Sequence, residues 1–234
     1  MSQKATLTLE DGTDVSFDTT ITIQDNFLDK DYFRYLKSLV FSPEFTWNMS
    51  VIIGPLPENN SFIKNDHQPE DDLQFTHVAY ADHNILSDFY NRLGPMFRDM
   101  QLYNCMKIKI NMLPRQEKII EHGMHVDYPE APLGNLTSVF YFNTNNGYTK
   151  FATGEKVESV ENRLVTFPVH IPHTGSTNTC DARGRCVMNI NWSKALGTPD
   201  SITNKAREKW QENYKNQKTI DINSSIQGER HGRF

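Results

Sequence analysis

The sequence predicts a mainly β domain with flanking helices, of the α+β class, built on a jelly-roll barrel with helices packed on one sheet. Three observations support this prediction. From residue 104 onward, apolar and polar residues alternate with a period of two. Turn residues separate about eight short strands, the number expected of a jelly roll. Two amphipathic helical segments precede these strands, and their apolar faces need a surface to cover.

The first forty residues predict a hairpin and a helix. Residues 5–24 alternate around the Asp11-Gly12 turn and predict one or two strands at the edge of a sheet. Asp29 is the expected N-cap of the helix, which ends near Ser42-Pro43. Its predicted apolar face consists of Tyr32, Phe33, Leu36, Leu39 and Val40.

The next segments predict a loop, a second helix and the barrel strands. Residues 54–72 lack periodicity and predict a long loop that could help to cover an active site. A helix is expected from about Asn84 to Met100, kinked or split at Gly94-Pro95. Met106 to Met112 forms the first barrel strand. The remaining strands are expected near 123–127, 137–143, 148–152, 156–160, 164–167, 171–175 and 184–192.

These elements predict one jelly-roll domain over residues 1–200. Residues 1–103 supply N-terminal strands and supporting helices, and residues 104–193 form the core barrel. Residues 201–234 are expected to form a C-terminal helix and a polar tail.

Net charge and the distribution of apolar residues limit the kinds of binding partner and the location that we expect for this protein. The formal net charge is −5, so no overall positive field favours nucleic acid or an anionic membrane. The first residues lack the apolar core of a signal peptide, and no stretch approaches the roughly 18 apolar residues of a membrane span. We therefore expect a soluble cytoplasmic protein, with a virus-encoded origin as one option.

The candidate metal ligands are His125, Asp127 and His173. A histidine and an aspartate at i and i+2 of a strand point to the same face, and a histidine on a neighbouring strand can complete three ligands. This set suits Fe(II) with open positions for oxygen chemistry, and it also suits zinc. His122 and His170 are the rival histidines, but His122 has no acid two residues later.

The last predicted strand carries a second functional candidate, Arg185. Alternation places Arg185, Val187, Asn189 and Asn191 on one face, and Cys186, Met188, Ile190 and Trp192 on the other. If Arg185 points into the barrel it needs an anion, and a dicarboxylate could bridge Arg185 and the iron. Arg183 competes for this role but lies in a predicted turn. The weaker candidates to contact such an anion are Tyr141, Asn111 and Asn189, each of which could instead be a structural residue.

These residues, with flanking motifs, resemble the iron(II)/2-oxoglutarate-dependent dioxygenase superfamily. The resemblance covers roughly residues 105–192 and is most similar to the prolyl-hydroxylase-like and phage-encoded branches. It includes Tyr141-Phe-Asn, Asn146-Gly-Tyr-Thr-Lys-Phe151, Asn162-Arg-Leu-Val-Thr-Phe167 and Pro172-His-Thr-Gly175. The sequence differs from the usual prolyl-hydroxylase pattern at two places. It has Arg185 where those hydroxylases usually have lysine, and Asn146-Gly-Tyr-Thr where they usually have Gly-Gly-x-Thr.

The resemblance implies a double-stranded β-helix, which is cupin-like, and a mechanism. His125, Asp127 and His173 would bind Fe(II), 2-oxoglutarate would chelate the iron and place its distal carboxylate on Arg185, and O2 would take the remaining position. The reaction would release succinate and CO2 and hydroxylate a small molecule, a peptide or a protein. Ascorbate is a candidate reductant.

Two alternatives stay open on the sequence. One is a non-enzymatic jelly-roll module with a binding or structural role. The other is a zinc hydrolase, although Arg185 and the lack of an evident general base argue against it.

Overall fold

Two antiparallel β sheets form the frame of the protein. The computed structural model describes residues 4–8, 14–18, 20–52, 73–128 and 134–194, with the backbone alone for the first two ranges. The strands are β1 Lys4–Thr8, β2 Asp14–Asp18, β3 Thr22–Gln24, β4 Asn48–Val51, β5 Leu73–Ala81, β6 Asn84–Ile85, β7 Leu102–Pro114, β8 Asn135–Tyr141, β9 Tyr148–Phe151, β10 Lys156–Glu158, β11 Arg163–Pro168, β12 His173–Gly175 and β13 Gly184–Lys194. The helices are α1 Lys30–Val40, a 3-10 helix Asp88–Arg92 and α2 Gly94–Met100.

The larger sheet has the strand order β3-β11-β8-β13-β7-β5-β4, with β6 paired to β5. The smaller sheet has the order β10-β9-β12. One buried cluster joins the two sheets, and its members are Val139, Tyr141, Phe151, Val157, Val165, Phe167, Ile171 and Val187. The predicted jelly roll is therefore confirmed.

A larger apolar cluster lies on the opposite face of the main sheet. There Phe33, Leu36 and Val40 of α1 join Met96 and Met100 of α2 against the sheet. From β13 the cluster takes Cys186, Met188, Ile190 and Trp192. The predicted packing of helices on one sheet is confirmed, as is the Asp29 cap, whose carboxylate accepts from the backbone N–H of Asp31 and Tyr32.

The predicted hairpin near the amino terminus is present. β1 and β2 pair with each other in a separate two-stranded sheet, while β3 pairs with β11 at the edge of the main sheet. The predicted loop at 54–72 and the predicted helix and tail at 201–234 lie outside the described residues. The division into residues 1–200 and 201–234 stays a prediction.

The predicted helix from Asn84 to Met100 is wrong over its first turn. Asp82 and His83 have positive φ angles of 50° and 62°, and Asn84 pairs with Ala81 across them. Positive φ at both central residues is the geometry of a tight hairpin turn, so the chain returns along β5 before any helix begins. Ser87 then caps the 3-10 helix, and Gly94-Pro95 separates it from α2, as predicted.

Two further differences concern strands. The sequence did not indicate β4 or β5, although β5 spans nine residues beside β7. Residues 123–127 are not a regular strand, because the β-pairing of this part of the chain consists of isolated bridges at Glu121 and His125. No helix among the described residues is long and apolar enough to cross a membrane.

A charged contact ties the bridged segment to the smaller sheet. The Glu121 carboxylate accepts hydrogen bonds from Lys150 at 2.6 Å, from Lys156 at 3.1 Å and from the Tyr148 hydroxyl. Burial opposes ionisation of Glu121, but these three donors outweigh it and lower the pKa to about 2. The chain that leads into His125 is thereby anchored at its start.

Candidate metal centre

Backbone pairing brings His125 and His173 side by side. Each backbone N–H donates to the carbonyl of the other residue, at 2.9 and 3.0 Å, and the ring centroids are 4.8 Å apart. Asp127 completes the group, with one carboxylate oxygen 3.6 Å from His125 Nε2 and the other 3.9 Å from His173 Nε2. One ligand atom from each of the three side chains lies within 4.8 Å of the others.

Both imidazoles are oriented for metal binding. His173 Nδ1 lies 3.0 Å from the Ile171 carbonyl, and His125 Nδ1 lies 3.2 Å from the Gly123 carbonyl. Because a carbonyl only accepts, each Nδ1 carries a proton, and each ring in its neutral form presents the Nε2 lone pair. His173 Nε2 is buried and has no hydrogen-bond partner among the described residues. An unpartnered buried nitrogen facing a carboxylate is suited to bind a cation.

The charge states of the three side chains also suit a cation. Burial opposes the charge of Asp127, but the contacts with His125, His173 and Asn191 outweigh it and hold the pKa of the carboxyl well below its ordinary value. Burial lowers the pKa of His173, which keeps that ring neutral. For His125, the contact with Asp127 outweighs burial and raises the pKa. A cation would compete with a proton at this ring.

Asp127 is held from behind by two side chains that the sequence did not single out for this role. Asn191 Nδ2 donates to Asp127 Oδ2 at 2.9 Å and to Thr137 Oγ1 at 3.0 Å. The Thr137 hydroxyl lies 3.4 Å from the same carboxylate oxygen. These contacts fix one oxygen and leave the other, Oδ1, directed toward His125.

Arg185 lies deep in the same cavity and is only 2% exposed. Its Nε donates to Ser159 Oγ at 2.8 Å, and one terminal nitrogen donates to Thr149 Oγ1 at 2.9 Å. Its guanidinium carbon lies 5.5 Å from the centre of the Tyr141 ring. Among the described residues no carboxylate forms an ion pair with Arg185. A buried guanidinium with neutral partners alone is a site for an anion.

Two glycines make room for this guanidinium. A Cβ at Gly175 would lie 3.0 Å from Arg185 Nη1, and a Cβ at Gly147 would lie 2.8 Å from Arg185 Cδ. Both distances are shorter than ordinary carbon contacts. Any larger residue would displace the arginine side chain.

The cavity that contains these groups has a volume of about 600 Å³, which lies within the range of small-molecule sites. It is lined by the three candidate ligands, by Arg185 and Thr149, and by side chains of β5, β7 and β13. A cavity of this size has room for two small ligands at once.

Comparisons with known proteins test the fold. No protein-family model matches the chain, and no curated protein matches it. Among solved structures, an oxidoreductase of the 2OG-Fe(II) oxygenase family from Burkholderia pseudomallei aligns with a TM-score of 0.54 at 11% identity, covering 76% of this chain and 87% of that one. The chain has the fold of the 2-oxoglutarate and iron(II)-dependent oxygenases.

Two other solved structures are similar. The epimerase SnoN from nogalamycin biosynthesis aligns with a TM-score of 0.50 at 11% identity, over 75% of this chain and 79% of SnoN. A prolyl-4-hydroxylase from Pseudomonas putida aligns with a TM-score of 0.49 at 14% identity, over 75% of this chain and 93% of that one. The alignment with the Burkholderia oxygenase confirms, at the level of the fold, the resemblance seen in the sequence, and the branch stays a prediction.

Most of the weaker sequence candidates also reach the cavity of this oxygenase fold. Asn111 and Asn189 line it, and the Oδ1 atom of each is buried without a hydrogen-bond partner among the described residues. Tyr141 is fully buried, is not among the described residues that line the cavity, and donates its hydroxyl to Thr149 at 2.7 Å. In this structure Tyr141 therefore supports Arg185 through its ring and through Thr149.

The rival residues are placed differently. Arg183 is exposed in the turn before β13. His170 is not among the described residues that line the cavity, whereas His122 lines it near Thr174. The group within 4.8 Å contains His125, Asp127 and His173 and neither rival histidine.

Proposed function

We propose that this protein is an Fe(II)- and 2-oxoglutarate-dependent oxygenase, which releases succinate and CO2 and hydroxylates a small molecule, a peptide or a protein side chain. The observation that carries the proposal is the pairing of two unusual features in one cavity. One is a convergent His125, Asp127 and His173 group, and the other is a buried Arg185 that has no acidic partner among the described residues.

In this proposal the imidazoles of His125 and His173 and the carboxylate of Asp127 would hold the iron. The Nδ1 anchors fix the ring planes, and Asn191 with Thr137 fixes the carboxylate. When bound, iron and 2-oxoglutarate together supply the oxidising chemistry, which protein side chains alone cannot perform. The similarity to SnoN, described in complex with Fe3+ and alpha ketoglutarate, supports this pair of cofactors.

Arg185 binds the distal carboxylate of 2-oxoglutarate. Two parallel hydrogen bonds from a guanidinium suit a carboxylate, and the buried position keeps water from competing for them. Ser159, Thr149 and the Tyr141 ring hold the arginine in place before the co-substrate arrives. Phe151 and Phe167 pack beside His173 and limit access of water to the iron from that side.

Succinate formation tests the proposal. Purified protein would be incubated with Fe(II), 2-oxoglutarate, O2 and ascorbate, and succinate would be measured without added substrate. We expect slow uncoupled turnover that is lost in His125→Ala, Asp127→Ala and His173→Ala. His170→Ala is the matched control and should retain turnover. Metal-dependent hydrolysis of ester or amide probes without succinate would instead support a zinc hydrolase, and neither activity would support a binding module.

A further inference from the structure

Two lysines of β7 project into the cavity. The cavity is lined by Lys107, Lys109, Asn111 and Leu113. Ile108 and Ile110, which alternate with them, are buried in the larger apolar cluster between the main sheet and the helices, called here the helix-side core. The alternation of a strand thus directs both ammonium groups toward the same space as the candidate metal ligands. Lysine is rarely placed inside a barrel unless an anion neutralises it.

Neither ammonium is neutralised by the described part of the protein. No carboxylate among the described residues lies within 4.0 Å of Lys107 or Lys109. Asp127 is the one acidic side chain among the described residues that line the cavity. Burial and the neighbouring Lys107 lower the pKa of Lys109, and the attraction of Asp127 only partly offsets them. The Lys109 ammonium therefore gains from a further anion.

The charge of the complete site stays positive after its cofactors are added. The two positive charges of Fe(II) and the two negative charges of 2-oxoglutarate cancel. Three cationic side chains, Lys107, Lys109 and Arg185, then face the single carboxylate of Asp127. The complete site therefore keeps a net charge of two positive units, although the formal net charge of the whole chain is −5.

Strand register separates the lysines from the arginine. Across the β7–β13 pair, Arg185 is opposite Leu113, whereas Lys109 is opposite Asn189. The four residues from Leu113 to Lys109 correspond to about 13 Å along the strand. Lys107 is opposite Asn191, the residue that holds Asp127. The lysines thus lie at the level of the metal ligands, away from the co-substrate end.

We infer that Lys107 and Lys109 form an anion subsite for the substrate, and that the substrate is a small molecule carrying a carboxylate or a phosphate. This inference rests on the proposed function. The cavity volume of about 600 Å³ suits a small molecule once the co-substrate is bound. The two ammonium groups would place the anion beside the iron and leave the rest of the substrate to meet the oxidising group.

The test uses full-length protein with Mn(II), which binds like Fe(II) but does not support turnover, and saturating 2-oxoglutarate. Inorganic phosphate and acetate are titrated calorimetrically as probes of the two anion types. We expect at least one to bind, with affinity reduced tenfold or more by Lys109→Met and by Lys107→Met. Lys109→Arg should retain binding. Lys118→Met removes an exposed lysine outside the cavity and should change nothing.

Three results would overturn the inference: no binding of either probe to the wild-type protein, equal binding by the Lys109→Met and Lys118→Met variants, or an equal loss of 2-oxoglutarate affinity in Lys109→Met. The last result would assign the lysine to the co-substrate and leave the proposed function intact.

If Mn(II) and 2-oxoglutarate themselves fail to bind, the proposed function fails. The lysine subsite can then still be tested by phosphate titration of metal-free Arg185→Met protein, where loss of binding on adding Lys109→Met supports it and no loss refutes it.

Discussion

Replacing Arg185 with methionine separates a ligand-binding role from a structural one. Burying an unpaired guanidinium costs several kcal/mol. The two hydrogen bonds that it donates, to Ser159 and Thr149, offset about 1.5 to 3 kcal/mol each. These opposing contributions nearly cancel. Methionine has neither the cost of burying a charge nor the two hydrogen bonds. It keeps contact with the Tyr141 ring and leaves Thr149 bonded to the Tyr141 hydroxyl.

We therefore expect Arg185→Met to leave the ligand-free protein as stable as the wild type, or more stable by up to about 2 kcal/mol. The response to 2-oxoglutarate should differ sharply. In the presence of Mn(II), a ligand at 100 times its Kd stabilises the wild type by about 2.7 kcal/mol. Losing a charge-assisted bond worth about 1.5 to 3 kcal/mol weakens binding roughly 10- to 150-fold, so the variant should gain less than about 1.5 kcal/mol.

Urea unfolding with and without 2-oxoglutarate measures both quantities. Arg183→Met is the matched control, because it removes an exposed arginine two residues away, and it should behave as the wild type. If Arg185→Met lowered the free energy of unfolding of the ligand-free protein by more than about 2 kcal/mol, the arginine would be a structural residue. An undiminished response to 2-oxoglutarate would refute its assignment to the co-substrate.

Three further predictions follow from the contacts of the site. Asn191→Ala removes the hydrogen bond to Asp127 and should lower Mn(II) affinity about 10- to 100-fold in a calorimetric titration. Gly175→Ala places a Cβ 3.0 Å from Arg185 Nη1 and should weaken 2-oxoglutarate binding about tenfold, measured in the same way. Glu121→Gln should cost about 1 kcal/mol of stability at pH 6.5, a figure discounted for its partial exposure. Because the folded-state pKa of Glu121, about 2, is below its ordinary value of 4.5, this advantage is complete above pH 4.5 and declines as the pH falls toward 2.

Each of these predictions has its own control. Asn189→Ala alters an asparagine two residues from Asn191 and should leave Mn(II) affinity within about threefold; a comparable loss in both variants would count against the Asp127 contact. Adding Gly175→Ala to Arg185→Met should not weaken 2-oxoglutarate binding further, since the colliding side chain is gone. A stability difference for Glu121→Gln that did not change between pH 6.5 and pH 3 would contradict the charged contact.

Local sequence patterns were sufficient to predict strands and helices that have one face on an apolar core and the other face on the cavity or on solvent. On β13, alternate residues face the helix-side core and the cavity, so the parity of Arg185 and of Trp192 could be read directly. The glycines of the motifs at 146–151 and 172–175 also have a physical explanation, because a Cβ at Gly147 or Gly175 would collide with the Arg185 side chain.

The predictions failed at β5 and at the start of the second helix, where tertiary contacts and a tight turn, rather than the local sequence pattern, determine the structure. β5 turns the polar side chains of Gln74 and Thr76 toward the cavity, so its apolar signal is weak. Ile85 and Leu86 fall within the predicted helix, yet they are 54% and 58% exposed, because the tight turn at 82–83 dictates the local path. These features depend on contacts that local patterns do not contain.

The same limit applies to the site. Lys107 and Lys109 form the polar half of an alternating strand, which ordinarily faces water, and only closure of the two sheets places them in a cavity. Asn191 supports Asp127 from 64 residues away in the sequence. The ligand triad was more accessible to prediction because its spacing and residue types reflect metal chemistry itself.

In the proposed site, one cation and Arg185 bind 2-oxoglutarate jointly. Titration of 2-oxoglutarate into protein with and without Mn(II) measures this joint binding. We expect that Mn(II) raises 2-oxoglutarate affinity, that 2-oxoglutarate raises Mn(II) affinity by the same factor, and that His173→Ala abolishes this coupling. Equal affinity for 2-oxoglutarate with and without the metal would show that the cation takes no part in binding it.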